Sequence, residues 1–346
     1  MKLAAAETAN PVAVNDRMFQ AAKRIVKQCL RVARRLGLAA SEQPAPCPVS
    51  RALQWLREAE LPSGGIRVHR RHRRAYPEVT GYLIPTLLDW QEFALAERAV
   101  RWLIRIQGPD GAFCDPDRKM PYVFDTAQAM RGLLAGRHRV PDAAQAAHKA
   151  AQYIVSQMID GGRGGFPPQF GWYEAPPIPE TILLYVLPAL ESAAEVLGQP
   201  QWTAAARECL DYYSRHPALL DMTSLTHFLG YELEALVDLG RAHIAQGVLD
   251  RLAQAQREDG AVRAAEGVDW VCVPGLAQLA VCWYKLGQRE PADRAMNWLK
   301  RHQRRSGGFV GSVGRGATYF PKREIPWAVK YFLDAERLRA RSSHES

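Results

Sequence analysis

The chain has 346 residues, 47% of them apolar, and a formal charge of +9 at pH 7. That apolar content can bury a large core, and no apolar run approaches the roughly 18 residues that span a bilayer, which excludes a membrane-crossing helix. The positive balance points to an anionic partner: acidic polysaccharide, nucleic acid or a membrane surface.

The first segment, Met1 to Val14, carries only a short apolar patch from Leu3 to Ala6 and lacks the longer apolar stretch of a secretory signal. The six cysteines are scattered without a C-x-x-C pair, which argues against structural zinc and suits a reducing compartment. A cytoplasmic protein is expected, unless a leader has been removed. Residues 15–37 then read as a basic amphipathic helix: Phe19, Ala22, Ile25, Val26, Cys29, Val32 and Leu36 recur at helical spacing among lysines and arginines. It is either a solvated outer helix or a helix that docks on a membrane surface or a partner protein. Ser41 to Pro48, rich in proline, is a linker.

From residue 48 to 340 a unit repeats about every 50 residues: helix, glycine turn, helix. The turns are Ser63-Gly64-Gly65, Asp110-Gly111-Ala112, Gly164-Gly165-Phe166, Asp259-Gly260-Ala261 and Gly307-Gly308-Phe309, with a degenerate copy at Ala218–Asp221. The first helix of each pair is predicted over 49–60, 92–107, 142–159, 199–215, 243–257 and 289–304. These have one polar face, as an outer ring in water requires. The second helices, over 78–90, 122–136, 178–197, 224–240, 270–287 and 324–339, are apolar around their circumference and form a buried inner ring. The expectation is therefore an all-α protein: six hairpins closed into one ring, with residues 1–47 before it and 341–346 as a tail.

This arrangement puts all six turn-to-inner-helix loops on one rim. The inner N-termini converge there, with unpaired N–H groups and positive dipole ends that suit anions. The first loop is the most charged segment of the chain, with Arg67, His69, Arg70, Arg71, His72, Arg73 and Arg74. An arginine fork binds carboxylate or phosphate through two parallel hydrogen bonds. The loop reads either as a solvated charged surface or as an anion site at the ring mouth. No nucleic-acid-binding module accompanies it, so nucleic acid is not the expected partner.

Further polar and aromatic groups sit where the inner helices begin: Tyr76, Glu78 and Tyr82; Tyr122 and Asp125; Trp172 and Glu180; His227 and Tyr231; Trp270; and Arg315, Tyr319, Lys322, Arg323 and Glu324. Aromatic faces beside carboxylates and arginines suit a sugar. Each residue alone is explained equally well as a cap or core contact; Glu78, Glu180 and Glu324, each beside a proline at a helix start, gain about 0.3–1 kcal/mol from the dipole alone. No G-x-S-x-G, phosphate-binding glycine loop, H-E-x-x-H or Asp-rich metal motif occurs, so no metal and no cofactor is expected.

The turn Gln107-Gly108-Pro109-Asp110-Gly111-Ala112-Phe113 resembles the Q-x-x-D-G repeat of squalene cyclases and prenyltransferases, and turns of toroidal polysaccharide lyases and epimerases. The resemblance implies an (α/α)6 toroid. The segment Tyr76-Pro77-Glu78-Val79-Thr80-Gly81-Tyr82, with Phe124-Asp125-Thr126-Ala127-Gln128, Leu225-Thr226-His227 and Pro326-Trp327-Ala328-Val329-Lys330-Tyr331-Phe332, is similar to a toroid family found with bacterial polysaccharide biosynthesis, whose relatives include lyases of the Vi-antigen type.

Charge, aromatics and resemblance together lead to an enzyme acting on an acidic, uronate-containing polymer or oligosaccharide. The expected step is removal of the proton next to the carboxylate, ending in elimination or epimerisation. His69, Arg71 or His72 would neutralise the carboxylate, His227 would act as base, and Tyr231 or Tyr82 would donate a proton. The alternative is a non-catalytic glycan-binding or assembly protein; a terpene or prenyl cyclase lacks its acid and metal motifs.

Overall fold

The computed structural model describes residues 47–342 apart from Pro116, Arg118 and residues 170–177. The predicted basic helix over 15–37, and Trp172, lie outside the described residues.

Among the described residues twelve α-helices follow in hairpin order: α1 (Pro48–Ala59), α2 (Pro77–Asp89), α3 (Phe93–Ile106), α4 (Val123–Gly136), α5 (Ala143–Ser156), α6 (Leu187–Val196), α7 (Pro200–Ser214), α8 (Thr226–Asp238), α9 (Ala242–Gln254), α10 (Val273–Lys285), α11 (Arg289–His302) and α12 (Pro326–Ser342). The odd-numbered helices form the outer layer. In α3 only Leu95, Ala96, Ala99, Val100, Trp102 and Leu103 are buried, one stripe at helical spacing. The even-numbered helices form the inner layer. In α8 every residue from Thr226 to Leu236 is buried, and in α10 every residue from Val273 to Tyr284. Each inner helix packs on the next, and α12 returns to α2 and α1. The fold is an all-α (α/α)6 toroid.

The repeated turn is a staple between neighbouring hairpins. Gln303, at the end of α11, donates from Nε2 to Gly307 O (2.9 Å) of its own turn and to Pro48 O (2.8 Å) of the next outer helix. Gln256 does the same to Gly260 and Pro291, and Gln107 to Gly111 and Ala146. The acidic residue of the turn accepts a backbone N–H two residues on, as Asp259 Oδ1 does from Ala261 at 3.0 Å. Glycine is required because the backbone is left-handed and touches the neighbour: at Gly307 φ is +92° and a Cβ would lie 2.0 Å from Arg51 O. At the glycine-free fourth turn, Leu220 takes φ +60°, and buried Glu232 accepts its N–H and the Thr181 hydroxyl.

The seam between the last and first hairpins carries the same staple and two more bonds, Arg51 to Gln303 Oε1 (2.7 Å) and Trp55 Nε1 to Glu324 Oε2 (2.6 Å). On the rim, the two-residue strands β1 (Val271–Cys272) and β2 (Ser312–Val313) pair antiparallel and tie the fifth loop to the sixth. The third inner helix departs from expectation. Residues 178–197 do not form one α-helix: a 3-10 segment, Glu180–Val186, precedes α6. Pro188 has no N–H to give to the fourth residue before it, and the tighter turn supplies the missing continuity.

Candidate active site

A cavity of about 320 Å³ opens where the inner helices begin. Its residues come from separate hairpins because the first turn of each inner helix points at the ring axis. The start of α2 supplies Tyr76, Glu78 and Val79; α4 supplies Tyr122, Phe124 and Asp125; α8 supplies His227, Phe228 and Tyr231. The sixth loop and α12 add Tyr319, Phe320 and Trp327.

Two carboxyls dominate its chemistry. Asp125 is buried and takes a hydrogen bond from Tyr76, while its Oδ2 has no partner among the described residues. Burial, and then the charge of Asp115, push its pKa up to about 8 against the opposing Tyr76 bond. Glu78 is pushed well above the usual carboxylate range by enclosure first and by Asp125 second. Each sits in the first turn of its helix, where the dipole favours the anion. Desolvation outweighs that, with repulsion from Asp125 adding at Glu78 and repulsion from Asp115 adding at Asp125, so the pair keeps a proton at neutral pH.

Opposite them lies a neutral histidine. His227 Nδ1 donates to Gln278 Oε1 (2.5 Å), which leaves Nε2 to accept from the Tyr231 hydroxyl at 3.3 Å. Burial lowers its pKa to about 3, the Gln278 bond opposing and the Lys330 charge assisting. Below this level the axis is closed by tyrosines. Tyr185 and Tyr331 share a hydroxyl contact of 3.3 Å, and Lys330 lies 3.8 Å over the Tyr331 ring while donating to Asp334.

A second, wider basin of about 720 Å³ adjoins the cavity and shares Phe320 with it. His69, Arg70, Arg71, Arg304, Lys322, Arg323 and Glu324 line it. His69 is lowered by burial first and by Arg323 next, whose Nη1 lies 3.3 Å from His69 Nε2.

The predicted residues therefore divide. His227, Tyr231, Tyr76, Glu78, Tyr122, Asp125 and Tyr319 meet in the cavity, while His69, Arg71, Lys322, Arg323 and Glu324 meet in the basin. His72 and Arg74 hold Asp117, at 2.9 and 3.4 Å, on the edge of the cavity. These two line neither space, and four more expected site residues share that outcome. Tyr82 sits below the cavity, stacked on Tyr331, because its position is a full turn into α2. Glu180 starts the 3-10 segment, Trp270 is packed under Gly314, and Arg315 is exposed beyond the β1–β2 pair. Glu324 reaches the basin, but its carboxylate is held by Trp55 and Ser306 at the ring seam. Sequence reasoning missed Asp117, Phe228, Phe320 and Arg304. Arg304 falls inside a glycine turn and reads as architecture there. Asp117 lies in a loop with no periodicity to orient it.

No protein-family model and no curated protein matches the chain. Solved structures do. An unsaturated glucuronyl hydrolase specific for heparin superposes with a TM-score of 0.66 at 14% identity, covering 86% of this chain and 97% of that one. A possible member of the GH105 family from Salmonella enterica gives 0.64 at 11%, covering 88% and 97%. An α-amylase from Clostridium perfringens gives 0.64 at 11%, covering 86% and 99%. At these identities the likeness carries the toroid fold and nothing finer. The resemblance to lyases of the Vi-antigen type rests on the sequence motifs alone.

Proposed function

We propose that this protein is a glycoside hydrolase for an acidic oligosaccharide, working by general-acid chemistry at Glu78 and Asp125. What carries this reading is the pair of carboxyls brought together inside an aromatic cavity, where enclosure pushes both above the usual carboxylate range. A protonated carboxyl with a pKa near the working pH is a suitable donor. It would give its proton to the departing oxygen as the C–O bond to the sugar breaks. The second carboxyl, once ionised as the pH nears 8, would take a proton from the water that adds to the sugar carbon, which restores the pair. Tyr76, Tyr122, Phe124 and Trp327 line the same cavity and would give a sugar its polar and aromatic surroundings. The fold likeness to toroids named as glucuronyl hydrolase and α-amylase supports the class.

Elimination, the reaction expected from the sequence, has less support. It needs a base, and His227, with a pKa of about 3 and its free nitrogen already accepting from Tyr231, is a weak one. Its better role is to position the Tyr231 hydroxyl.

The test is incubation of the purified chain with saturated and unsaturated uronate oligosaccharides, following new reducing ends and ultraviolet absorbance together. Hydrolysis releases reducing ends without creating absorbance, and Glu78→Gln or Asp125→Asn abolishes it. A rise in absorbance from saturated substrate, or turnover unchanged in both variants, would refute the proposal. A purely glycan-binding protein would give binding and no turnover in any form.

A further inference from the structure

The cavity and the basin differ in charge more sharply than their contact would suggest. The described residues lining the cavity include Glu78, Asp117 and Asp125 and no lysine or arginine. Those lining the basin include Arg70, Arg71, Arg304, Lys322 and Arg323, against Glu324 alone. The Glu324 carboxylate is already taken up by Trp55 Nε1 (2.6 Å) and Ser306 Oγ (2.7 Å). Arg71, Arg304, Lys322 and Arg323 make no ion pair among the described residues. Among the described residues the Arg323 guanidinium meets the ring of His69. Protein surfaces ordinarily intersperse charges of both signs, and unbalanced like charges around one concavity repel. Such a cluster is suited to an anion it can hold through forked guanidinium bonds.

The wall between the two spaces is also unusual. Phe320 borders both, with φ +47°, a conformation uncommon for a bulky residue. It packs edge-on against Trp327 and Tyr319, at 5.4 and 5.0 Å between centroids. Local strain of this kind persists where the surroundings hold it, often at a ligand site. Phe320 thus forms an aromatic sill over which a sugar chain can pass from one space to the other.

We propose that the basin is a binding subsite for an anionic group, carboxylate or sulfate, on the sugar adjoining the one held in the cavity. This rests on the reading above only in taking the cavity as a sugar site. A uronate placed wholly in the cavity would meet no lysine or arginine among its described lining residues, and the nearest, Arg74, is already paired with Asp117. The protein therefore selects acidic oligomers over acidic monosaccharides, and the charge it reads lies one residue away from the bond it acts on.

Calorimetric binding with the full chain tests this. The probes are tetragalacturonate and its methyl ester, a heparin-derived tetrasaccharide and its desulfated form, and galacturonic acid. At least one anionic tetrasaccharide is expected to bind at least about tenfold more tightly than its neutralised form and than the monosaccharide, the effect of losing one charge-assisted contact. The Arg71→Ala/Arg323→Ala variant, with an unchanged circular dichroism spectrum, should lose that advantage and bind charged and neutral forms alike. The carboxylate and sulfate probes distinguish which anion is preferred. Equal binding of charged and neutral forms, no binding of any tetrasaccharide, an unaffected double variant, or equally tight binding of a single-stranded oligonucleotide would each overturn the proposal. Asp125→Asn should keep the charge-dependent binding whether or not turnover occurs. Failure of acid catalysis and failure of the subsite are therefore separate outcomes.

Discussion

Replacing Asp125 by asparagine tests the buried acid pair without needing a substrate. Asp125 is 2% exposed, and its pKa rises from the usual 3.8 to about 8 on folding. The native state then binds more protons than the unfolded chain between those values. Stability from this group is complete below pH 4 and is lost as pH rises through 8. Four units at about 1.36 kcal/mol each set a ceiling of about 5 kcal/mol; relaxation and water entry around a buried charge bring the expected loss to about 2–4 kcal/mol. An asparagine in its place cannot ionise, and its amide oxygen can still accept from Tyr76. Urea unfolding of both proteins at pH 5, 6, 7 and 8 should therefore show Asp125→Asn gaining about 2–4 kcal/mol relative to the parent as pH rises. The difference between the two curves is the quantity to read, because His227 acts in the opposite sense. With its pKa lowered to about 3, it costs stability as pH falls from 6.5 toward 3. Parallel curves for parent and variant across pH 5–8 would show that Asp125 is ionised in the folded protein, and the acid pair would lose its basis.

Three further outcomes follow from the same contacts. Gly307→Ala forces a side chain into left-handed backbone against Arg51 O, and should cost about 2–4 kcal/mol in urea unfolding. Gln303→Ala leaves the Gly307 and Pro48 carbonyls without their side-chain donor, and should cost about 1–3 kcal/mol while raising hydrogen exchange in α1 and α11; protection unchanged there would refute its role as a staple. The His227 ring should show no change in its NMR shifts between pH 5 and 8, and a midpoint of 6 to 7 would contradict its burial as a neutral base.

The ring was legible in the sequence because two periodic signals agree. One-sided stripes such as that of α3 mark outer helices, and all-round burial such as that of α8 marks inner ones. The Q-x-x-D-G turns carry their own explanation, since Gln, Asp and Gly each make a separate contact in the staple. The 3-10 segment at 180–186 was not legible. A continuous apolar run looks alike at three or at 3.6 residues per turn, and only Pro188 breaks the symmetry.

The site was legible in place and illegible in role, for one physical reason. Position within the first turn of an inner helix fixes where a side chain points, so Glu78, Asp125 and His227 could be gathered on one rim from local pattern. Their protonation depends on groups brought from other hairpins: Asp125 beside Glu78, and Gln278 and Lys330 around His227. Helix-start carboxylates that local reasoning treats as ordinary anions become acids once enclosed together, and the histidine that looked like a base becomes an acceptor for a tyrosine. The basic loop divides in the same way. Arg67 is spent on the Ala59 and Glu60 carbonyls and Arg70 pairs with Glu58, while Arg71 joins Arg304, Lys322 and Arg323 from the far side of the seam. Charges that are mixed along the described sequence are thus sorted by folding into a cation-lined basin beside an acid-lined cavity. Ring closure creates that juxtaposition, since the first and sixth loops meet only when α12 reaches α1. Loosening the seam should therefore impair binding of charged glycans before it disturbs the acid pair on α2 and α4.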